Sequence, residues 1–126
     1  MEDLGKIGEG LARRVYESRG FSILAQNFYN RRGRRMGEID FVAVKDGDIR
    51  FVEVKTRSAG RLESALWAVD YRKQLKMLKA ADYFLLRFPE YQKYRPHVDV
   101  VAVIFGSVDK RRIIVKIYSD GIGAIC

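Results

Sequence analysis

Ile7, Leu11 and Val15 recur every four residues with Ala12 and Tyr16 beside them, which marks one apolar helical face. The spacing predicts a first helix over Lys6–Arg19, stopped at Gly20, where a left-handed C-terminal position suits glycine. A short strand is expected over Phe21–Gln26. Two strand-like runs follow, Ile39–Val44 and Ile49–Thr56, joined by Lys45-Asp46-Gly47-Asp48. Asp-Gly between two apolar runs is a strong signal for a tight antiparallel hairpin. After a loop around Ser58–Gly60, helical spacing returns over Leu62–Phe88, carried by Leu66, Val69, Leu75, Leu78, Leu85 and Phe88, with a bend or break marked at Trp67 and Asp70-Tyr71. Pro89 and Pro96 place a loop between Phe88 and Val98. Strands over Val98–Phe105 and Arg112–Tyr118, turning at Asp109-Lys110, complete the order α-β-β-β-α-β-β. That order predicts an α/β fold, a central mixed sheet flanked by helices.

Composition narrows the chemistry. At 126 residues the chain has the size of one domain, 1–126, and 48% hydrophobic residues suffice for a core. One cysteine excludes a disulfide framework, and one histidine argues against a His-based metal cage. The longest apolar run, Val100–Phe105, is far short of the roughly 20 residues of a membrane-spanning helix. Met1-Glu2-Asp3 opens acidic and lacks the apolar stretch of a secretory signal, so a cytoplasmic protein without a membrane partner is expected. Lys and Arg exceed Asp and Glu by 24 to 16, a net charge of +8, which favours nucleic acid as a partner. The excess is local. Arg31, Arg32, Arg34 and Arg35 fall within five residues and read as a phosphate clamp. Arg72, Lys73, Lys76 and Lys79 form a second basic stretch, either a backbone-tracking stripe or a solvated face.

The chemistry centres on the hairpin. On its second strand Val52 and Val54 point one way, and Glu53, Lys55 and Arg57 the other. Asp40 precedes Glu53 by 13 positions, and a hairpin folded at Asp46-Gly47 brings it near Glu53 and Lys55. Two carboxylates and a lysine suit metal-dependent phosphodiester hydrolysis. Asp40 and Glu53 offer hard oxygen ligands for magnesium or manganese. Such an ion stabilises transition-state charge and lowers the pKa of a bound water. Lys55 would contact the attacking water or the scissile phosphate. Glu9 adds a third carboxylate if the first helix packs across the sheet. The competing reading is a solvated strand face with a surface ion pair worth about 0–1 kcal/mol. The apolar neighbours argue instead for a central, half-buried strand, where unpaired charge is costly. Trp67, Tyr71, Tyr91 and Tyr94 fit core or loop packing better than base stacking. His97 and Asp99 read as structural, and Gly121-Ile122-Gly123 lacks the context of a dinucleotide motif.

Gly37-Glu38-Ile39-Asp40, then Phe51-Val52-Glu53-Val54-Lys55-Thr56-Arg57, then a helix with Lys73 followed by Ala80-Ala81-Asp82-Tyr83-Phe84-Leu85, resemble the YraN family of small endonuclease-like proteins. That family is similar to the PD-(D/E)XK nuclease superfamily, which includes archaeal Holliday junction resolvases. The resemblance runs from Gly8-Glu9 through Val98-Asp99-Val100-Val101. It implies a restriction-endonuclease-like core, with Asp40 as metal-binding aspartate, Glu53 and Lys55 as the E-x-K pair, and Glu9 as the acid of the first helix. Lys73 or Gln74 falls where a further helical motif supplies a polar residue. Ile39 stands where the superfamily often has proline, which removes no ligand. The implied function is a magnesium- or manganese-dependent endonuclease acting on DNA, branched or structured DNA included. The alternative is a nuclease-fold module that binds DNA or RNA without cutting. Arg31, Arg32, Arg34, Arg35, Arg57, Lys73 and Lys76 would hold the nucleic acid. A homodimer is expected by resemblance, because resolvases must cut two strands.

Overall fold

A computed structural model describes residues 3–29, 38–58, 71–106 and 113–119. The arginine-rich loop, Trp67 and the early part of the expected second helix lie outside the described residues. So does the Asp109-Lys110 turn. Helix α1 (Leu4–Ser18) begins at Asp3, whose carboxylate accepts the Gly5 N–H at 2.9 Å and caps the helix. Strands β1 (Ser22–Tyr29), β2 (Glu38–Lys45) and β3 (Asp48–Ser58) follow. Helix α2 (Tyr71–Arg87) and a single 3₁₀ turn at Pro89–Tyr91 precede β4 (Arg95–Phe105) and β5 (Ile113–Tyr118). The hairpin turns at Asp46 and Gly47 with φ of 49° and 80°, the doubly left-handed pair that a two-residue turn requires.

The sheet runs β1-β2-β3-β4-β5, with β3 and β4 parallel and every other pair antiparallel. This is the expected α/β arrangement, consistent with a restriction-endonuclease-like core. β3 lies at its centre. Two apolar layers sandwich the sheet. Ala12 and Tyr16 of α1 pack on Phe41, Ala43, Val52, Val54, Val101 and Val103. Ala80, Ala81 and Phe84 of α2 pack on Ile39, Val42, Ile49 and Phe51. Phe84 meets Phe28 and Phe51 edge-on, with centroids 5.0 and 5.6 Å apart.

Most strand and helix ends among the described residues shift by one or two positions, and two strand boundaries shift by three. β1 continues past Gln26 to Tyr29 because Phe28 pairs with Ile39 and Tyr29 with Glu38. β4 begins at Arg95, so Pro96 lies inside a strand rather than in a loop. Among the described residues β4 pairs with β5 from Val100 onward, so on that side no described ladder bond needs the missing N–H of Pro96. The start of β4 is tied to the hairpin. Asp48 accepts from Arg95 Nε at 2.7 Å and lies 3.0 Å from His97 Nε2, which holds its carboxyl well below the usual carboxylate range. Tyr91 and Tyr94 pack under this corner, their rings 5.3 Å apart, as packing residues.

The α1 layer also contains a closed polar network. Asp99 is fully buried, accepts from Tyr16 Oη at 2.7 Å, and is bridged by Arg50 Nη1 at 3.0 Å. Burial beside this carboxylate pushes the Tyr16 phenol far up, so it stays a donor. Close approach of α1 to β3 depends on Gly8, where an added Cβ would overlap the Thr56 hydroxyl. That contact sets the height of Glu9 above the sheet. Gly8→Ala is expected to destabilise the fold by about 1–3 kcal/mol through overpacking. Because Thr56 is the obstacle, adding Thr56→Ala should recover part of the loss. Denaturant midpoints of both single variants and the double variant measure this coupling, and strict additivity would refute it.

Candidate metal and phosphate site

The β2–β3 ladder ends at Phe41 paired with Val52. Beyond that point the alternation of faces breaks: Ile39 packs with the α2 layer and Phe41, two residues on, with the α1 layer. Asp40 lies at the break. The N–H of Val54, next in line on β3 for a backbone partner, donates instead to Asp40 Oδ2 at 2.6 Å. The carboxylate thus takes the place of a strand carbonyl and is held at the centre of the sheet, 7% exposed.

Glu53 is likewise buried at 4% exposure, on the β3 face opposite Val52 and Val54. Its Oε1 lies 3.1 Å from Lys55 Nζ. Burial raises the Asp40 pKa most, and the nearby Glu53 charge raises it further. The Val54 N–H opposes the shift, Glu9 adds a smaller push, and Asp40 reaches about 8. Burial beside Glu53 thus favours the protonated form of Asp40 up to about pH 8. Glu9 thus lies within electrostatic range, as the helix-packing condition required.

A groove of about 310 Å³ opens beside the pair, with Glu9 and Leu4 from α1, Val54, Lys55 and Arg57 from β3, and Phe105 from β4. Asp40 and Glu53 connect to it through Val54 and Lys55 rather than lining it. Arg57 donates from Nη1 to the Thr56 carbonyl at 2.8 Å, which leaves further guanidinium donors for the groove.

The structure therefore gathers Glu9, Asp40, Glu53, Lys55 and Arg57 at one end of β3. Lys76 is exposed on α2. The side chains of Lys73 and Gln74, and all of Arg31, Arg32, Arg34 and Arg35, lie outside the described residues. Among the described residues, no three His, Cys, Asp or Glu side chains are grouped to hold a metal by themselves. Asp40 and Glu53 form an all-oxygen pair, which fits a hard cation that keeps most of its water, as magnesium does. The Val54 N–H was missed from sequence, because a break in strand alternation leaves no mark in the spacing. No helix among the described residues is long and apolar enough to cross a membrane.

Residues 8–103 match the model of the uncharacterised protein family UPF0102. A UPF0102 protein of Caldicellulosiruptor bescii is 35% identical over 117 residues, covering 93% of this chain and 92% of its own. One from Natranaerobius thermophilus is 39% identical over 105 residues, with 79% and 82% covered. One from Acinetobacter baylyi is 36% identical over 102 residues, with 81% and 70% covered.

The raised Asp40 pKa has a sign for stability. Unfolded, this carboxyl ionises near 3.8; folded, near 8. Between these values the native state keeps a proton that the unfolded chain has released. Its contribution is complete below the lower value and is lost as pH rises through the upper one. In chelator, the urea midpoint is expected to fall from pH 5 to pH 9. Asp40→Asn, which keeps an acceptor for Val54, should flatten that fall. An equal slope in both proteins would contradict the assignment.

Proposed function

This chain belongs to the uncharacterised protein family UPF0102, and we propose that it is a metal-dependent endonuclease-like protein that hydrolyses phosphodiester bonds of DNA, branched or structured DNA included. The observation that carries this reading is the buried Asp40–Glu53 pair, joined through Lys55 to a groove that Arg57 also lines. A purely structural acid pair does not need this arrangement. Asp99 shows the structural solution in the same molecule, closed by a phenol and a guanidinium.

Asp40 and Glu53 would hold magnesium or manganese, which when bound supplies Lewis-acid stabilisation of phosphoryl charge and a more acidic water. The remaining work falls to the chain. Asp40 would release its proton to solvent, and the Val54 N–H keeps its carboxylate oriented throughout. Lys55 neutralises Glu53 before substrate arrives and then has a phosphate oxygen as a second anionic partner within the groove. Arg57, with a planar fork of donors, orients the backbone phosphate. Glu9 on the facing wall accepts a hydrogen bond from water.

A second reading, a nucleic-acid-binding module that does not cut, is favoured by one observation. Lys55 already balances Glu53, and no third acid joins the pair among the described residues. The two readings separate in one assay series. Linear, nicked, flapped and four-way DNA are incubated with the protein in Mg²⁺ or Mn²⁺. Cleavage is expected, falling roughly 100-fold or more in Glu53→Gln with binding nearly unchanged, and as far in Lys55→Ala with binding also weakened. Arg57→Ala should weaken binding and lower the slope of log affinity against log salt by about one. Cleavage that survives Glu53→Gln would assign it to a contaminant. Salt-dependent binding with no turnover under any condition would leave only the second reading.

A further inference from the structure

A second groove, of about 490 Å³, lies between β1 and α2, on the far side of β2 from β3. Its walls are Gln26, Asn27, Phe28 and Tyr29 from β1 and Tyr83 and Arg87 from α2. Its size falls within the roughly 300–1,000 Å³ of small-ligand sites.

Three features give it a chemical character. A regular strand alternates its faces, yet Gln26 and Asn27 are both exposed. Asn27 has φ of 51°, the left-handed region that asparagine enters more readily than most residues other than glycine. Two adjacent amides, each with donors and an acceptor, therefore face the same groove. Next, the half-buried Tyr83 ring is backed by Phe28, with centroids 5.9 Å apart and planes at 36°. Phe28 is itself braced by Phe84 at 5.0 Å and Phe88 at 6.5 Å, so Tyr83 is a supported flat platform. Last, the Arg87 guanidinium lies 5.8 Å from the Phe88 ring centroid, which steadies a cation at the rim.

A ring face, a pair of amides and a cation complement the three parts of a nucleotide: base face, base edge and phosphate. The sheet register adds position. Asn27 falls between the pairs Gln26–Phe41 and Phe28–Ile39, so it stands across from Asp40 on the neighbouring strand, about 5 Å away by strand spacing. A base seated here brings its own backbone next to the candidate scissile position. A base within a duplex is stacked and paired, and cannot offer its face and edge to such a groove without being extruded.

We propose that the groove between β1 and α2 receives an unpaired base of single-stranded DNA, stacked on Tyr83, with Gln26 and Asn27 on its edge and Arg87 on the adjoining phosphate. The identity of the strand as DNA rests on the function proposed above; the recognition of an unpaired base rests on this groove.

Binding in chelator separates the two. Fluorescence anisotropy would compare a labelled 12-nucleotide single strand, an abasic strand of equal length and charge, and a 12-base-pair duplex at one salt concentration. The base-bearing strand is expected to bind about tenfold tighter than the abasic one. Tyr83→Ala should erase that difference, Tyr83→Phe should keep it, and Arg87→Ala should weaken both strands equally. Wild-type protein that binds the two strands equally would overturn the proposal without any variant. So would a preference untouched by Tyr83→Ala in a variant whose circular dichroism and melting match wild type. Displacement of the strand by micromolar free nucleotide would also overturn it, in favour of a small-molecule site. Since no metal is present, a failure of DNA cleavage leaves this result intact, and the reverse holds as well.

Discussion

The single hydrogen bond from the Val54 N–H to the Asp40 carboxylate organises the site. A central strand cannot leave a buried N–H unsatisfied without a penalty of about 1–3 kcal/mol. Where β2 parts from β3, the backbone acceptor is gone and a side chain must replace it. The fold uses a carboxylate for the purpose. That choice places an acid at the one point in the sheet where both strands and the groove end are within reach. Glu53, on the strand that Asp40 now serves, becomes its neighbour by geometry.

The buried acids are managed in two ways. Asp99 is fixed between Tyr16 and Arg50, with partners from a helix and a neighbouring strand, and it locks α1 onto the sheet. Asp40 is instead buried beside the Glu53 charge, and its raised pKa is the mark of an incomplete charge balance. A buried carboxyl with a raised pKa beside an open groove is a recurrent property of functional sites, whereas satisfied ones are a recurrent property of cores. The lysine two residues along the strand moderates the imbalance without removing it.

Much of this was legible in the sequence because it is local. Asp46-Gly47 specifies its own turn, and the hairpin fixes the separation of Asp40 and Glu53 within narrow limits. The first helix was readable for the same reason, as was the alternation along Phe51–Arg57, although the buried helical positions are Gly8, Ala12 and Tyr16, one residue on from the half-buried Ile7, Leu11 and Val15. What stayed hidden depends on departures from periodicity. The left-handed Asn27 extends β1 beyond its apparent end and turns two amides outward together. The switch of faces between Ile39 and Phe41 has no signature in residue type. Pro96 reads as a loop until its place beside β3, with β5 not yet begun, is known. Two of these three departures, at Asn27 and between Ile39 and Phe41, fall beside the candidate grooves, where such failures are expected.

The parallel pairing of β3 with β4 has a consequence for how the molecule comes together. Each contact in that ladder joins residues 47 apart, Asp48 with Arg95 through Ser58 with Phe105. The hairpin can close within microseconds, but this ladder must wait for the intervening helix and a long loop closure. Until β4 docks, Glu53 lies on an open strand edge, and the burial that raises the Asp40 pKa most is incomplete. The property that makes the pair chemically distinctive therefore emerges late, as the product of the slowest contact in the chain. During synthesis, an uncovered β3 edge is also the surface most exposed to pairing with the wrong strand.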